Sequence, residues 1–153
     1  MPIPEYAPSV PEGEGDSRQM PGPITSVLVV DDNAGVRAAL SGFCRHQPDM
    51  RVCGEAADGT DAVKKASECK PDLILMDVVM PNLNGLQAAA AIRKLLPETR
   101  IVIFTMFGDV IGKSLAKAVG VDLVITKGTS TQSLIQQLQL LLEDPKEDPK
   151  QSS

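Results

Sequence analysis

Five side chains in this sequence have types and positions suited to joint chemistry. Two adjacent carboxylates, Asp31 and Asp32, directly follow the apolar run 27–30. Asp77 follows the run 73–76, Thr105 follows 101–104, and Lys127 follows 123–126. If these runs are neighbouring strands, one sheet edge receives three carboxylates, a hydroxyl and an ammonium. Three carboxylates a few ångströms apart repel one another and raise each other's pKa, a conflict that a divalent cation relieves. Hard oxygen ligands suit Mg2+, which keeps some of its waters and leaves room for a phosphoryl oxygen. A carboxylate can attack phosphorus to form an aspartyl phosphate. The cation, Lys127 and the Thr105 hydroxyl would then stabilise the phosphoryl charge.

Each residue also has a plainer reading. Asp32 or Asn33 is equally suited to capping the helix that follows. Thr105 alone reads as a strand-end residue, and Lys127 alone as a solvated charge. The convergence of four strand ends is what favours chemistry. The segment Asp77-Val78-Val79-Met80-Pro81-Asn82-Leu83-Asn84-Gly85 adds to it. Pro81 fixes its own φ and restrains Met80, while Asn82, Asn84 and Gly85 tolerate turn conformations. A loop of this kind can hold the backbone carbonyl of Val79 beside a metal.

The elements that must position these groups follow from periodicity. Short apolar runs rich in branched residues predict strands at 27–30, 51–55, 73–76, 100–104 and 123–126. Helical patterns lie between and after them, at 34–45, 60–69, 85–96, 110–119 and 130–142. Val36, Leu40 and Phe43 share one face of the first helix, and Gly120 is a suitable residue to end the fourth. Strands alternating with helices predict an α/β fold with a parallel sheet covered on both faces. In such sheets ligands bind beyond the carboxyl ends of the strands, where the five residues fall.

The 153 residues carry 12 prolines, and half of them lie in the first 23 positions. The expected organisation is a Pro/Gly-rich leader at 1–24, a folded unit at 25–142 and a polar tail at 143–153. The formal charge of −5 resides in the two ends, because residues 25–142 hold 12 acidic and 12 basic side chains. With no dense Lys/Arg run, direct nucleic-acid binding is not expected. No stretch approaches the roughly 20 apolar residues of a membrane helix, and the start lacks the pattern of a signal peptide. The three cysteines, Cys44, Cys53 and Cys69, are odd in number and fit neither a zinc site nor a disulfide framework, which predicts free thiols in a reduced cytoplasm. His46 reads as a surface residue near a helix end.

The acid pair Asp31-Asp32, the stretch from Asp77 to Gly85, then Thr105 and Lys127, in that order and spacing, resemble the receiver domain of bacterial two-component response regulators. The resemblance covers about residues 25–142. It implies a flavodoxin-like (βα)5 doubly wound sheet with strand order 2-1-3-4-5. It further implies Asp77 as phosphoacceptor, Asp32, Asp77 and the Val79 carbonyl as direct Mg2+ ligands, and Asp31 as a ligand often acting through water. Thr105 and Lys127 would bond the phosphoryl group. The implied donor is a sensor histidine kinase or histidine phosphotransfer protein. Output would reach a downstream target protein in trans, with phosphorylation-dependent homodimerisation an open option. Around Thr105-Met106-Phe107 and Lys127-Gly128 the sequence looks most like receivers attached to a LuxR-type helix-turn-helix.

Three positions depart from the family pattern. Val124 stands where an aromatic residue is common, Met106 where a small one is common, and Gly128 where proline is common. Val79 and Phe107 border the implied route of the hydrolytic water, and neither can orient it. Slow autodephosphorylation is therefore expected. Two rival readings differ in class. A receiver fold kept only for protein interaction would commonly have lost part of the acid set, which is complete here. A Mg2+-dependent phosphohydrolase of the haloacid-dehalogenase type carries a second Asp two residues after the nucleophile, where this sequence has Val79. The chain is accordingly expected not to be an enzyme.

Overall fold

The computed structural model describes residues 23–106, 108 and 111–143. Four short runs rich in Val, Ile and Leu and the mixed segment MRVCGEA form five strands: β1 (Thr25–Val30), β2 (Met50–Ala56), β3 (Leu73–Met76), β4 (Arg100–Thr105) and β5 (Leu123–Thr126). Five helices alternate with them: α1 (Ala34–Arg45), α2 (Gly59–Cys69), α3 (Gly85–Leu95), α4 (Lys113–Ala118) and α5 (Thr131–Glu143). All strand pairs are parallel, and the order is β2-β1-β3-β4-β5. This is the flavodoxin-like α/β arrangement that the motif resemblance implies. The order turns back on itself between β1 and β3, so a crevice opens at their carboxyl ends.

Strand side chains alternate between faces, and two apolar layers result. On one face Leu28, Val30, Ile74, Met76, Ile101 and Ile103 pack under the small residues of α2, α3 and α4, including Ala62, Ala66, Ala88, Ala89 and Ala116. On the other face Val27, Val29, Leu73, Leu75, Val102 and Ile125 pack under α1 and α5 through Leu40, Cys44, Leu134 and Leu138. Alanines on one side let three helices approach closely. Val36 and Phe43 join Leu40 on the buried side of α1. The central strands β1, β3 and β4 are thus locked from both faces, which fixes where their last residues point.

Local signals set the helix starts. Asn33 caps α1 by accepting from the Val36 amide at 3.0 Å. Asp58 caps α2, and Asn84 caps α3 in a reciprocal box with Gln87. α4 differs from its predicted span of 110–119. It runs only over Lys113–Ala118, with Gly112, extended at φ −63° and ψ 148°, as its N-cap outside the helix. Position 110 lies outside the described residues. At the other end Gly120 adopts φ +90°, as a helix-ending glycine should. His46 is the exposed C-cap of α1.

The cysteines depart from expectation. Cys44 is buried and free, but Cys53 of β2 and Cys69 at the end of α2 form a disulfide, with Cα atoms 6.3 Å apart. Two elements adjacent in sequence fold back on each other, so sixteen residues of separation close into contact. With Cys53 and Cys69 paired, an odd cysteine number is no sign of a reducing compartment. Among the described residues no helix is long and apolar enough to cross a membrane.

Candidate functional site

Each of the five singled-out residues lies at or just beyond a strand's carboxyl end. Asp31 follows β1, and its amide donates to the Ala56 carbonyl at 3.1 Å, so the backbone stays in sheet register one residue past the strand. Asp77 follows β3 in the same way, donating to the Val30 carbonyl at 3.1 Å. Thr105 and Thr126 are register partners at the ends of β4 and β5. The Lys127 amide donates to the Thr105 carbonyl at 2.8 Å. Parallel pairing therefore carries the alignment of strands into the alignment of functional groups.

The carboxylates of Asp31, Asp32 and Asp77 each offer an oxygen, and these oxygens lie within 4.8 Å of one another. Asp31 is 1% exposed and Asp77 8%, whereas Asp32 is exposed. Since Asn33 is the helix cap, Asp32 is free of that task and projects its carboxylate toward solvent at the mouth of the cluster. Lys127 Nζ bridges the two buried acids, donating to Asp31 Oδ2 at 2.9 Å and to Asp77 Oδ2 at 3.2 Å. The remaining Asp31 oxygen, Oδ1, accepts from the Asn33 amide at 2.9 Å, and Asp77 Oδ1 accepts from the Val78 amide at 2.7 Å. Burial of Lys127 by itself would lower its pKa. The hydrogen bond to Asp31 and the charges of Asp77 and Asp31 outweigh this, and the pKa is raised.

Thr105 is fully buried. Val79 lies on the loop after Asp77 and is 55% exposed. That loop is tightly built. Asn82 takes φ 70°, a left-handed conformation that asparagine tolerates, and its amide group donates to the Asp58 carboxylate at 3.0 Å. Gly85 lies against the backbone carbonyl of Asp77, and any Cβ there would overlap it. The Gly85 amide donates to the Val78 carbonyl at 2.8 Å. Glycine at the end of the motif is thus required by contact with the phosphoacceptor candidate itself.

The three departures have structural correlates. Val124 pairs with Ile103 and packs its side chain on the α4-side core layer. Met106 is 67% exposed, so its bulk stands in solvent. Gly128 takes φ +98°, which proline cannot adopt. Phe107 lies outside the described residues. Two supporting residues escaped sequence reasoning. Arg37 donates to the Asp31 carbonyl at 2.8 Å and pairs with Glu55 at 3.4 Å. Asp58 holds the loop through Asn82. Their partners are distant in sequence or on the backbone, and no spacing rule announces them.

These features define a receiver-type α/β domain, and the comparisons place it in a family. Residues 27–139 match the response regulator receiver domain family. The chain belongs to that family. It is 43% identical over 110 residues to the response regulator protein VraR of Staphylococcus epidermidis, an alignment covering 71% of this chain and 52% of that protein. The chain spans about half the length of the curated relatives it matches. The response regulator domain of Thermotoga maritima CheB is 36% identical with a TM-score of 0.71, over 82% of this chain and 99% of that one. A DNA-binding response regulator of the LuxR family from Staphylococcus aureus is 26% identical with a TM-score of 0.69, over 77% and 98% of the two chains.

The last match corrects one expectation. Nucleic acid was excluded as a partner because residues 25–142 carry no net charge and no basic run. A relative with the same fold is a DNA-binding protein, so the charge balance of a receiver does not exclude nucleic acid for proteins built on it.

Proposed function

We propose that this chain is a phosphoryl-accepting regulatory switch in which Asp77 receives a phosphoryl group from a phosphohistidine donor. The observation that carries the proposal is the cluster itself. Three carboxylates from two strand ends lie within 4.8 Å of one another, and an ammonium from a third strand end spans the two buried ones. The donor set of hard oxygens with one exposed member fits Mg2+. Asp31, Asp32 and Asp77, with the Val79 carbonyl, would hold it. When bound, the ion neutralises phosphoryl oxygens and the crowded carboxylates.

The chain's own groups do the rest. An Asp77 carboxylate oxygen bonds to phosphorus as the bond from phosphorus to the donor's imidazole nitrogen breaks, and the imidazole leaves with that electron pair. Lys127 keeps its bond to Asp31 and turns its other donor from Asp77 to the new phosphoryl oxygens. Thr105, buried at the end of β4, contributes its hydroxyl. Transfer is stoichiometric: the chain carries the group rather than turning over a substrate.

The test is incubation of the chain with acetyl phosphate and Mg2+, read by intact mass. Wild type gains one phosphoryl group only when Mg2+ is present, and Asp77→Asn gains none. Absence of uptake in the wild type would leave a pure interaction module and defeat the proposal. Many turnovers on simple phosphoesters would make it a hydrolase instead. The same loaded sample reports lifetime, and slow phosphate loss is expected with Val79 beside the site.

A further inference from the structure

Cys53 and Cys69 sit on elements that contribute no carboxylate to the acidic cluster. Their placement has a structural origin. β2 is the edge of the sheet. Its pairing with β1 slips between Val27 and Leu28, which leaves Cys53 as the extra residue between the partnered Val52 and Gly54. A bulge of this kind re-aims a side chain. The next residue lacks one: a Cβ on Gly54 would lie 3.9 Å from Cys69 Sγ and 3.8 Å from Lys65 Cδ. The last turn of α2 therefore lies close over the edge strand. α2 stops directly after Cys69, where Lys70 turns left-handed at φ 46°.

The Cα–Cα distance of 6.3 Å falls within the range a disulfide spans without backbone movement. Both cysteines are partly exposed, so a small reagent can reach them. Cys44 is different. It is fully buried in the layer under α1 and α5, on the opposite face of the sheet, and burial pushes its thiol up to about 11.

We propose that Cys53 and Cys69 form a redox-modification site, a dithiol that low-molecular-weight disulfides convert reversibly into an intramolecular disulfide. The exchange balances as two displacements. One cysteine thiolate attacks glutathione disulfide, forming a mixed disulfide and releasing one glutathione thiolate. The second thiolate attacks the protein sulfur of that mixed disulfide and expels the other glutathione. The protein dithiol loses two electrons and two protons, and glutathione disulfide is reduced to two thiols. The product ties α2 to β2, an edge strand and so open to unwanted pairing.

The experiment treats the reduced full chain with glutathione disulfide under native conditions. The expected product has lost two hydrogens, carries no glutathione, shows a Cys53–Cys69 link on peptide mapping and reverts with dithiothreitol. Cys44 becomes alkylatable only on denaturation. Cys53→Ser and Cys69→Ser, each confirmed as folded by circular dichroism, lose the intramolecular product and retain one glutathione on the remaining surface cysteine. The proposal is overturned if the folded wild type stays fully reduced, keeps a stable glutathione adduct, forms covalent dimers or links through Cys44. Phosphoryl uptake from acetyl phosphate is measured in both redox forms. Because the wild-type mass readout is independent of Asp77, failure of uptake and failure of disulfide formation are separate results.

Discussion

Lys127 shows how one residue acquires a role that its type alone does not give. Its ammonium is largely buried, a costly position for a charge, and two carboxylates make that position tenable. The same carboxylates are tolerable neighbours because the ammonium lies between them. Gly85 shows the opposite case, a residue needed for what it lacks. Gly85→Ala places a methyl group against the Asp77 carbonyl and about 2.9 Å from Val78 Cα, both backbone atoms. Stability is expected to fall by roughly 1–3 kcal/mol, and phosphoryl uptake to slow because the loop carrying Asp77 must shift. Gly42→Ala, inside α1 with open space around the new methyl, is expected to raise stability by about 0.5–1 kcal/mol. Urea unfolding midpoints of the two variants check both signs. A Gly85→Ala chain as stable as wild type would show that the loop is not held against Gly85.

At the scale of elements, what was legible in the sequence depended on whether the signal was local. The five apolar runs declared the strands because burial on both faces demands nearly continuous branched residues. Asn33 was legible as one of two residues suited to cap the first helix, whereas the caps Asp58 and Asn84 came only with the structure. The alternation of strands and helices, with chemical residues after the strands, placed Asp31, Asp32, Asp77, Thr105 and Lys127 at one rim. Arg37 and the Asp58–Asn82 contact stayed hidden because their partners lie on other segments of the chain. The Cys53–Cys69 contact stayed hidden because it depends on a slipped register at the sheet edge. α4 was drawn too long because an apolar pattern does not mark the extended Gly112 at which the helix starts. Six residues with no side-chain cap make a marginal helix. Amides of α4 are therefore expected to exchange hydrogen at least tenfold faster than those of α1 and α3, which have caps and longer buried faces. Native-state exchange read by mass spectrometry decides this, and equal protection in the three helices would contradict it.

The whole molecule is a sheet clamped between two unequal layers, and its stability depends on both. The layer under α1 and α5 contains the one thiol that is wholly enclosed, Cys44, beside Leu40, Leu134 and Leu138. Burial raises its pKa from 9.0 to about 11, with the neighbouring Arg45 charge opposing this. In the unfolded chain the thiol returns to its ordinary value, so the folded pKa is the higher of the two. The stabilisation is then complete below pH 9.0 and is lost as pH rises toward about 11, because the unfolded chain releases its proton first. A difference of this size corresponds to roughly 2–3 kcal/mol. With Cys53 and Cys69 paired in both proteins, the unfolding free energy of the wild type is expected to fall more steeply across this interval than that of Cys44→Ala. The variant loses some packing at every pH, but only the slope reports the thiol. Parallel slopes would mean that Cys44 titrates in the folded chain as it does in the unfolded one, and that the layer under α1 and α5 admits water where the structure closes it.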